Sequence, residues 1–207
     1  AIWFRERLTI DDTVEVVDGK ESPIITQAYV DQRLKEGMDE DLAQQEYWCS
    51  FDGSMQGSYY SQAFKSMDTQ DRVRSVPWEP SLPVHTAWDL GVGDATGIWF
   101  LQVAGQDIRW IDYYEASGEG LNHYIKKMHE KPYNYGMHFA PHDIKVREFT
   151  TGKSRLELAR TMGVRFKVVT KLGVDEGIDM MRRLFPRSFF DAVKCKRGIQ
   201  ALREYRK

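Results

Sequence analysis

The sequence lacks most of what would mark a secreted or membrane-bound chain. Its 207 residues hold two cysteines, at positions 49 and 195, which build neither a disulfide framework nor a cysteine-based zinc site. A reducing setting is the expectation. No window approaches the roughly 20 apolar residues of a membrane-spanning helix. The opening AIWFRERL lacks the basic-then-apolar order of a secretory leader, and it starts without Met, as expected of a cropped or processed end. Five histidines, at 85, 123, 129, 138 and 142, show no His-Glu-x-x-His spacing. The Gly-x-x-x-x-Gly-Lys-Ser/Thr phosphate loop is also missing, which excludes an ATPase core of that type. A strong charge of either sign is absent too, with 29 Lys+Arg against 31 Asp+Glu.

What is present reads as globular. Apolar residues make up 42% and charged residues 29%, close to the average for folded domains. The length allows one large domain, or one domain with a fragment of another. The near-neutral total hides an asymmetry. Residues 1–143 carry 12 Lys+Arg and 24 Asp+Glu, whereas residues 144–207 carry 17 and 7. A basic C-terminal stretch points to an anionic partner. The alternative is one acidic and one basic solvated face, and charge counts alone favour that.

The seven prolines are few, but three of them fall within Pro77-Trp78-Glu79-Pro80-Ser81-Leu82-Pro83. That run cannot continue a helix or an inner strand and reads as a linker. It divides the chain into residues 1–80 and 81–207. In the first part Thr26 caps a short helix stopped by Gly37, and Asp39 caps a second with Leu42, Glu46 and Tyr47. Gly53, Gly57 and Ser58 mark a loop. No self-contained core is evident there.

After the linker, Val84–Leu90, Thr96–Ala104 and Ile108–Tyr114 read as three consecutive antiparallel strands, the last two joined by a turn at Gly105-Gln106-Asp107. Leu121, Tyr124, Ile125 and Met128 recur at helical spacing. A fourth strand is expected at Tyr135–Ala140, a helix from Ser154 to about Met162, and a fifth strand at Val164–Thr170. Helices over Val174–Phe185 and around Ile199 and Leu202 complete the chain. The fold class is therefore α/β: a mixed sheet, three antiparallel strands then parallel ones, flanked by helices and preceded by an irregular, partly helical N-terminal segment.

Two acids stand where strands end. Asp89 lies in Trp88-Asp89-Leu90-Gly91 and Asp143 in Ala140-Pro141-His142-Asp143. A carboxylate at the C-terminal end of a strand reaches the crevice above the sheet. If the first and fourth of these strands are neighbours, the two carboxylates converge, and a hard divalent cation such as Mg²⁺ or Mn²⁺ resolves their repulsion. Gly91 and Gly93 would allow a substrate backbone close approach. Taken singly, each acid is equally a turn or capping residue. Lys145, Arg147, Lys153 and Arg155 follow Asp143 and would contact phosphates; without the acids beside them they read as a solvated loop. His142 is expected to be solvated or to orient groups around a metal. Lys194–Lys207 holds six basic residues and one acid, and either touches an anionic partner or covers the rim of the sheet. The tryptophans fall mostly on strand-like runs, as core residues do.

This topology with these acids resembles the RNase H-like nuclease superfamily and, within it, the large subunit of tailed-phage terminases. Trp88-Asp89-Leu90-Gly91 with Asp94-Ala95-Thr96 resembles the family's first nuclease motif, and Ala140-Pro141-His142-Asp143 the second. Gln45-Glu46-Tyr47, Phe51 and Gly57-Ser58-Tyr59-Tyr60 resemble the stretch leading out of its ATPase domain. Asp175-Glu176-Gly177-Ile178 through Arg183, Phe190-Asp191, Cys195 and Leu202-Arg203-Glu204-Tyr205-Arg206 resemble its C-terminal run.

The resemblance implies a metal-dependent endonuclease domain (residues 81–207) behind the end of an otherwise absent ATPase domain (residues 1–80). It implies no ATP site, and two Mg²⁺ or Mn²⁺ ions roughly 3.5–4 Å apart. Asp89 would bridge both ions and Asp143 would hold one, for hydrolysis of concatemeric double-stranded DNA. The family places a third acid in a helix beyond its Leu-x-x-Tyr-Arg segment; Asp94 and Glu115 are lesser candidates for that place, and weak cleavage is expected without it. Implied partners are DNA, the terminase small subunit and the portal protein, with no membrane, in the cytoplasm of a bacterial host. Rival readings are an inactive DNA-binding or portal-docking module of the same fold, a transposase or junction resolvase, and an actin-like ATPase or sugar-kinase fragment suggested by Asp89-Leu90-Gly91. About 125 residues after the linker are too few for the two domains that the last of these needs.

Overall fold

The computed structural model describes residues 9–17, 19–38, 40–48, 58–91, 95–146, 152 and 154–206. The chain forms two compact units, one of residues 1–64 with 203–207, the other of residues 65–202. In the first, strands β1 (Val14–Val17) and β2 (Lys20–Pro23) form a hairpin. Helix α1 (Gln27–Lys35) starts at Thr26, whose hydroxyl accepts from the Tyr29 N–H, and ends before Gly37 at φ 98°. Helix α2 (Glu40–Trp48) follows, and Ile10, Val30 and Ala43 form a small core between these elements. Asp39, Cys49, Gly53 and Gly57 lie outside the described residues. Helix α3 (Ser61–Thr69) leads into the second unit.

The second unit is built on a seven-stranded mixed sheet. Its strands are β3 (Val73–Arg74), β4 (Val84–Asp89), β5 (Ala95–Ala104), β6 (Asp107–Ser117), β7 (Tyr135–Ala140), β8 (Phe166–Val168) and β9 (Ser188–Asp191), in the order β3-β9-β6-β5-β4-β7-β8. The pairs β4–β5 and β5–β6 are antiparallel, while β4–β7, β7–β8, β6–β9 and β3–β9 are parallel. The three expected antiparallel strands are present, with Gly105 at φ 63° in the turn between the second and third. Two strands were not expected. β9 holds four residues and β3 two, too few for alternation to show against their surroundings. β9 owes its conformation to long-range pairing with β6, and β3 to pairing with β9.

One face of the sheet is closed by helices. Alternation along β4 buries Val84, Thr86 and Trp88 and leaves His85, Ala87 and Asp89 on the other side. Val84 and Trp88 join Ile98, Phe100 and Ile111 in the main core. Helix α4 (Leu121–His129) covers this core with Leu121, Tyr124, Ile125 and Met128, the four residues at helical spacing. Helix α5 (Arg155–Thr161) adds Ala159; the Ser154 hydroxyl accepts from the Glu157 N–H while the Glu157 carboxylate accepts from the Ser154 N–H, a reciprocal cap. Helix α6 (Val174–Leu184) is stopped by Phe185–Arg187.

The opposite face carries Trp99, Trp110, Tyr113 and Phe190, with ring centroids 4.6–5.6 Å apart among the pairs that involve Trp99. Helix α7 (Lys196–Glu204) packs there through Gly198. A Cβ on Gly198 would sit 2.5 Å from Trp99 Cη2 and 2.9 Å from Tyr113 Cδ2. Gly198→Ala is therefore expected to lower the melting temperature. Overpacking costs about 1–3 kcal/mol, which outweighs the roughly 1 kcal/mol that Ala contributes to a helix over Gly. Differential scanning calorimetry checks this, and an unchanged or raised melting temperature would remove the close-packing argument.

Candidate active site

Asp89 closes β4, and β4 and β7 are parallel neighbours with Ala87 opposite Phe139. β7 ends at Ala140, and a single 3₁₀ turn, His142–Lys145, follows Pro141. Asp143 sits on that turn, at the same end of the sheet as Asp89. The condition for convergence is thus met by the strand order, and the two carboxyls influence each other electrostatically. The Asp89 side chain is solvent-accessible. Partial enclosure first, and the charge of Asp143 second, hold its carboxyl above the ordinary range. Asp143 Oδ1 is buried and has no hydrogen-bond partner among the described residues. A buried, unpartnered carboxylate oxygen beside a second carboxyl is costly for the protein alone.

The two strands are held in register by side chains beneath the acids. Trp88 Nε1 donates to Thr86 Oγ1 (2.8 Å), and Thr86 Oγ1 lies 2.7 Å from His138 Nδ1 on β7. All three residues are buried. Burial, then His129 and His85, push the His138 pKa down to about 4, so the ring is neutral at physiological pH. A shift in register separates Val84 from Thr86, and His85 Nδ1 accepts the Met137 N–H there at 2.9 Å. Histidine thus serves here as mortar between the strands that carry the acids, a role its spacing in the sequence does not reveal.

On the other side of Asp89 the register runs Asp89 opposite Gly97 and Gly97 opposite Glu115. Directly opposite residues share a face, so Asp89 and Glu115 flank a position with no side chain. The Tyr113 hydroxyl fills that gap: a Cβ on Gly97 would lie 2.9 Å from it. Tyr113 Oη donates to Glu115 Oε2 at 2.7 Å, and Glu115 Oε1 is ion-paired with Arg197 of α7. Burial, then the hydrogen bond and charge of Glu115, then Asp89, raise the Tyr113 pKa above its ordinary range, so the phenol keeps its proton. Glu115 is engaged by these two groups. Among the described residues no set of three or more His, Cys, Asp or Glu is placed to hold a metal.

The remaining residues singled out in the sequence are spread around this rim. Lys145 is exposed on the turn that carries Asp143, and Arg155 opens α5, half-buried. His142 is exposed beside Asp143. Gly91 follows β4; Gly93, Asp94, Arg147 and Lys153 lie outside the described residues. Strand parity was the available signal for Tyr113 and Glu115. Counting back from Asp89 through the Gly105 turn requires the register irregularity between Phe100 and Leu101, which pattern alone does not show.

Solved structures share this arrangement of strands and helices. The large terminase of the thermophilic bacteriophage D6E, in complex with ATP-gamma-S, matches with a TM-score of 0.53 at 14% identity, over 95% of this chain and 46% of that one. The present chain therefore spans under half the length of that protein. The nuclease domain of the P22 large terminase matches with a TM-score of 0.50 at 14% identity, over 66% and 76% of the two chains. The large terminase nuclease of the thermophilic phage G20c with bound cobalt matches with a TM-score of 0.50 at 14% identity, over 73% and 81%. No family model matches the sequence, and no curated protein sequence does. The chain has the RNase H-like fold of the large-terminase nuclease domain.

Proposed function

We propose that this chain contains the metal-dependent endonuclease domain of a viral DNA-packaging terminase large subunit. The observation that carries the reading is the pairing of Asp89 with Asp143, whose buried Oδ1 has no partner among the described residues. Two hard carboxylates brought to one end of the sheet suit a hard divalent cation, Mg²⁺ or Mn²⁺, and the structurally similar G20c nuclease was crystallised with cobalt. Such ions would supply an acidified water and neutralise charge on a scissile phosphodiester. Asp89, at the centre of the rim, would bridge two ions; Asp143 would hold one. Lys145 and Arg155, together with Arg147 and Lys153 between them in the sequence, would fix the duplex through its phosphates. The substrate is double-stranded DNA. Residues 1–80 would join the domain to an ATPase, with a small subunit and a portal protein as partners, in the cytoplasm of a bacterial host. No described helix is long and apolar enough to cross a membrane.

With two carboxylates converging among the described residues, cation affinity is expected to be modest, and Mn²⁺ is expected to support more cleavage than Mg²⁺. Supercoiled plasmid incubated with the chain and millimolar Mn²⁺ is expected to be nicked and linearised, and EDTA is expected to abolish the reaction. Mn²⁺ is also expected to raise the melting temperature, because it relieves the repulsion between Asp89 and Asp143. Absence of both cleavage and the melting shift would favour the inactive docking module.

A further inference from the structure

The Glu115–Arg197 pair has an uneven geometry. The Glu115 side chain is 16% exposed and the Arg197 side chain 76%. The carboxylate is sunk into the rim with both oxygens used, one by Tyr113 Oη and one by Arg197 Nη2. Arginine carries five N–H donors in a fixed fork, and the contact to Oε1 leaves most of that fork facing solvent. Arg197 stands in the first turn of α7, beside exposed Lys194 and Lys196. The helix itself is pinned by Gly198 against Trp99 and Tyr113. The guanidinium is therefore held in one place rather than swept through solvent.

Its place is defined by the sheet. Asp89, Gly97 and Glu115 are aligned across three adjacent strands. At about 4.8 Å per strand, Glu115 lies roughly 10 Å from Asp89 along the rim, on the side away from β7 and Asp143. That span corresponds to about three base-pair steps at roughly 3.4 Å of rise per strand. The rim thus presents acids at its centre, the turn that carries Asp143 and Lys145 on one side and an anchored guanidinium on the other.

We infer that Arg197, oriented by Glu115 and Tyr113, is a phosphate-binding residue that holds the DNA strand on the β6 side of Asp89. The inference rests on the nuclease reading, since it takes its ligand from that substrate. A planar fork held by a half-buried, doubly hydrogen-bonded carboxylate is pre-organised for phosphate oxygens, which a lysine does not reproduce. The competing explanation is that Arg197 only neutralises Glu115. On that explanation the pair, with its arginine largely in solvent, adds little stability and leaves DNA affinity unchanged.

The test measures binding of a fluorescent 20-base-pair duplex by anisotropy, in EDTA, across a series of salt concentrations, alongside Mn²⁺-dependent plasmid cleavage and thermal melting. Arg197→Ala is expected to weaken binding about three- to tenfold and to reduce the slope of log K against log salt by about 0.9, the signature of one lost phosphate contact. Arg197→Lys should retain most of the slope while binding more weakly than wild type. Glu115→Gln should keep the slope and slow cleavage, because the charge stays while its orientation is lost. Arg187→Ala, at the opposite end of the sheet beside the start of β6, serves as the control and should leave affinity unchanged. An unchanged slope in Arg197→Ala, with wild-type affinity, overturns the assignment while the nuclease reading stands. A wild-type chain that neither binds the duplex nor cuts plasmid overturns both.

Discussion

Replacing Asp89 by Asn is expected to reduce Mn²⁺-dependent plasmid cleavage by about a thousandfold while leaving the metal-free protein at least as stable as wild type. The first effect follows from charge. Asn retains the shape and one acceptor oxygen but not the negative charge that holds and bridges cations. Loss of several kcal/mol of transition-state stabilisation corresponds, at about 1.36 kcal/mol per decade, to roughly three decades of rate. The second effect follows from the environment of the carboxyl. Partial enclosure and Asp143 both disfavour its ionised form, and Asn removes that cost.

The sign with pH is set by the same shift. An acid whose folded pKa is raised binds more protons in the folded than in the unfolded state between the two values. Its favourable contribution is present below the unfolded pKa and is lost as pH rises through the folded value. Wild type is therefore expected to lose stability relative to Asp89→Asn as pH climbs through that window, and added Mn²⁺ should close the gap. Calorimetric melting at a series of pH values, with and without Mn²⁺, reads this directly. Equal cleavage by the variant sinks the active-site assignment. A variant that melts lower than wild type at neutral pH without metal contradicts the electrostatic account.

Gln102→Leu is expected to give the largest loss of stability among these variants, about 2–5 kcal/mol. Gln102 on β5 is fully buried, and its amide holds the proline-rich segment against the sheet. Its Nε2 donates to the carbonyls of Glu79 and Leu82, both at 2.8 Å, and its Oε1 accepts from the Glu79 N–H at 2.9 Å. The Glu79 carbonyl also accepts from the Leu82 N–H, so it keeps a partner. The Glu79 N–H and the Leu82 carbonyl do not. Each group of this part-buried segment left unpaired against the buried leucine side chain costs up to about 1–3 kcal/mol, against a total stability of roughly 5–15 kcal/mol for a domain. Urea unfolding followed by circular dichroism measures the loss, and a change below about 1 kcal/mol would show that this clamp does not hold the segment. Gln102 lies opposite Arg109, toward the far end of β5 from Gly97. Cleavage by the folded fraction should therefore survive.

Much of the architecture was readable before any contact was known. VHTAWDL and TGIWFLQVA announce strands because alternation and β-branched or aromatic residues report a half-buried pleated surface. Leu121, Tyr124, Ile125 and Met128 announce a helix because 3.6-residue periodicity reports one buried stripe, and all four are buried. Ser154 announces a helix start because its hydroxyl can accept from a first-turn backbone donor, and it does so from the Glu157 N–H. The positions of Asp89 and Asp143 near strand ends were legible too, since Asp89 is the last residue of one alternating run and Asp143 follows Ala140-Pro141 at the end of the other. These are local properties, written in neighbours along the chain.

What the chain alone did not disclose depends on which strands become neighbours. SFFD at Ser188–Asp191 and the pair Val73-Arg74 are strands only because β6 and β9 offer hydrogen-bonding partners. Thr86, Trp88 and His138 form one buried chain only because β4 and β7 lie side by side. The approach of Asp89 to Asp143, the gap at Gly97 and the alignment of Asp89 with Glu115 and Arg197 have the same origin. Residues by themselves determined the alternation, the turns and the acids at strand ends. Tertiary structure decided the strand order and register, because cross-strand contact is a relation between distant segments that periodicity in either segment does not encode.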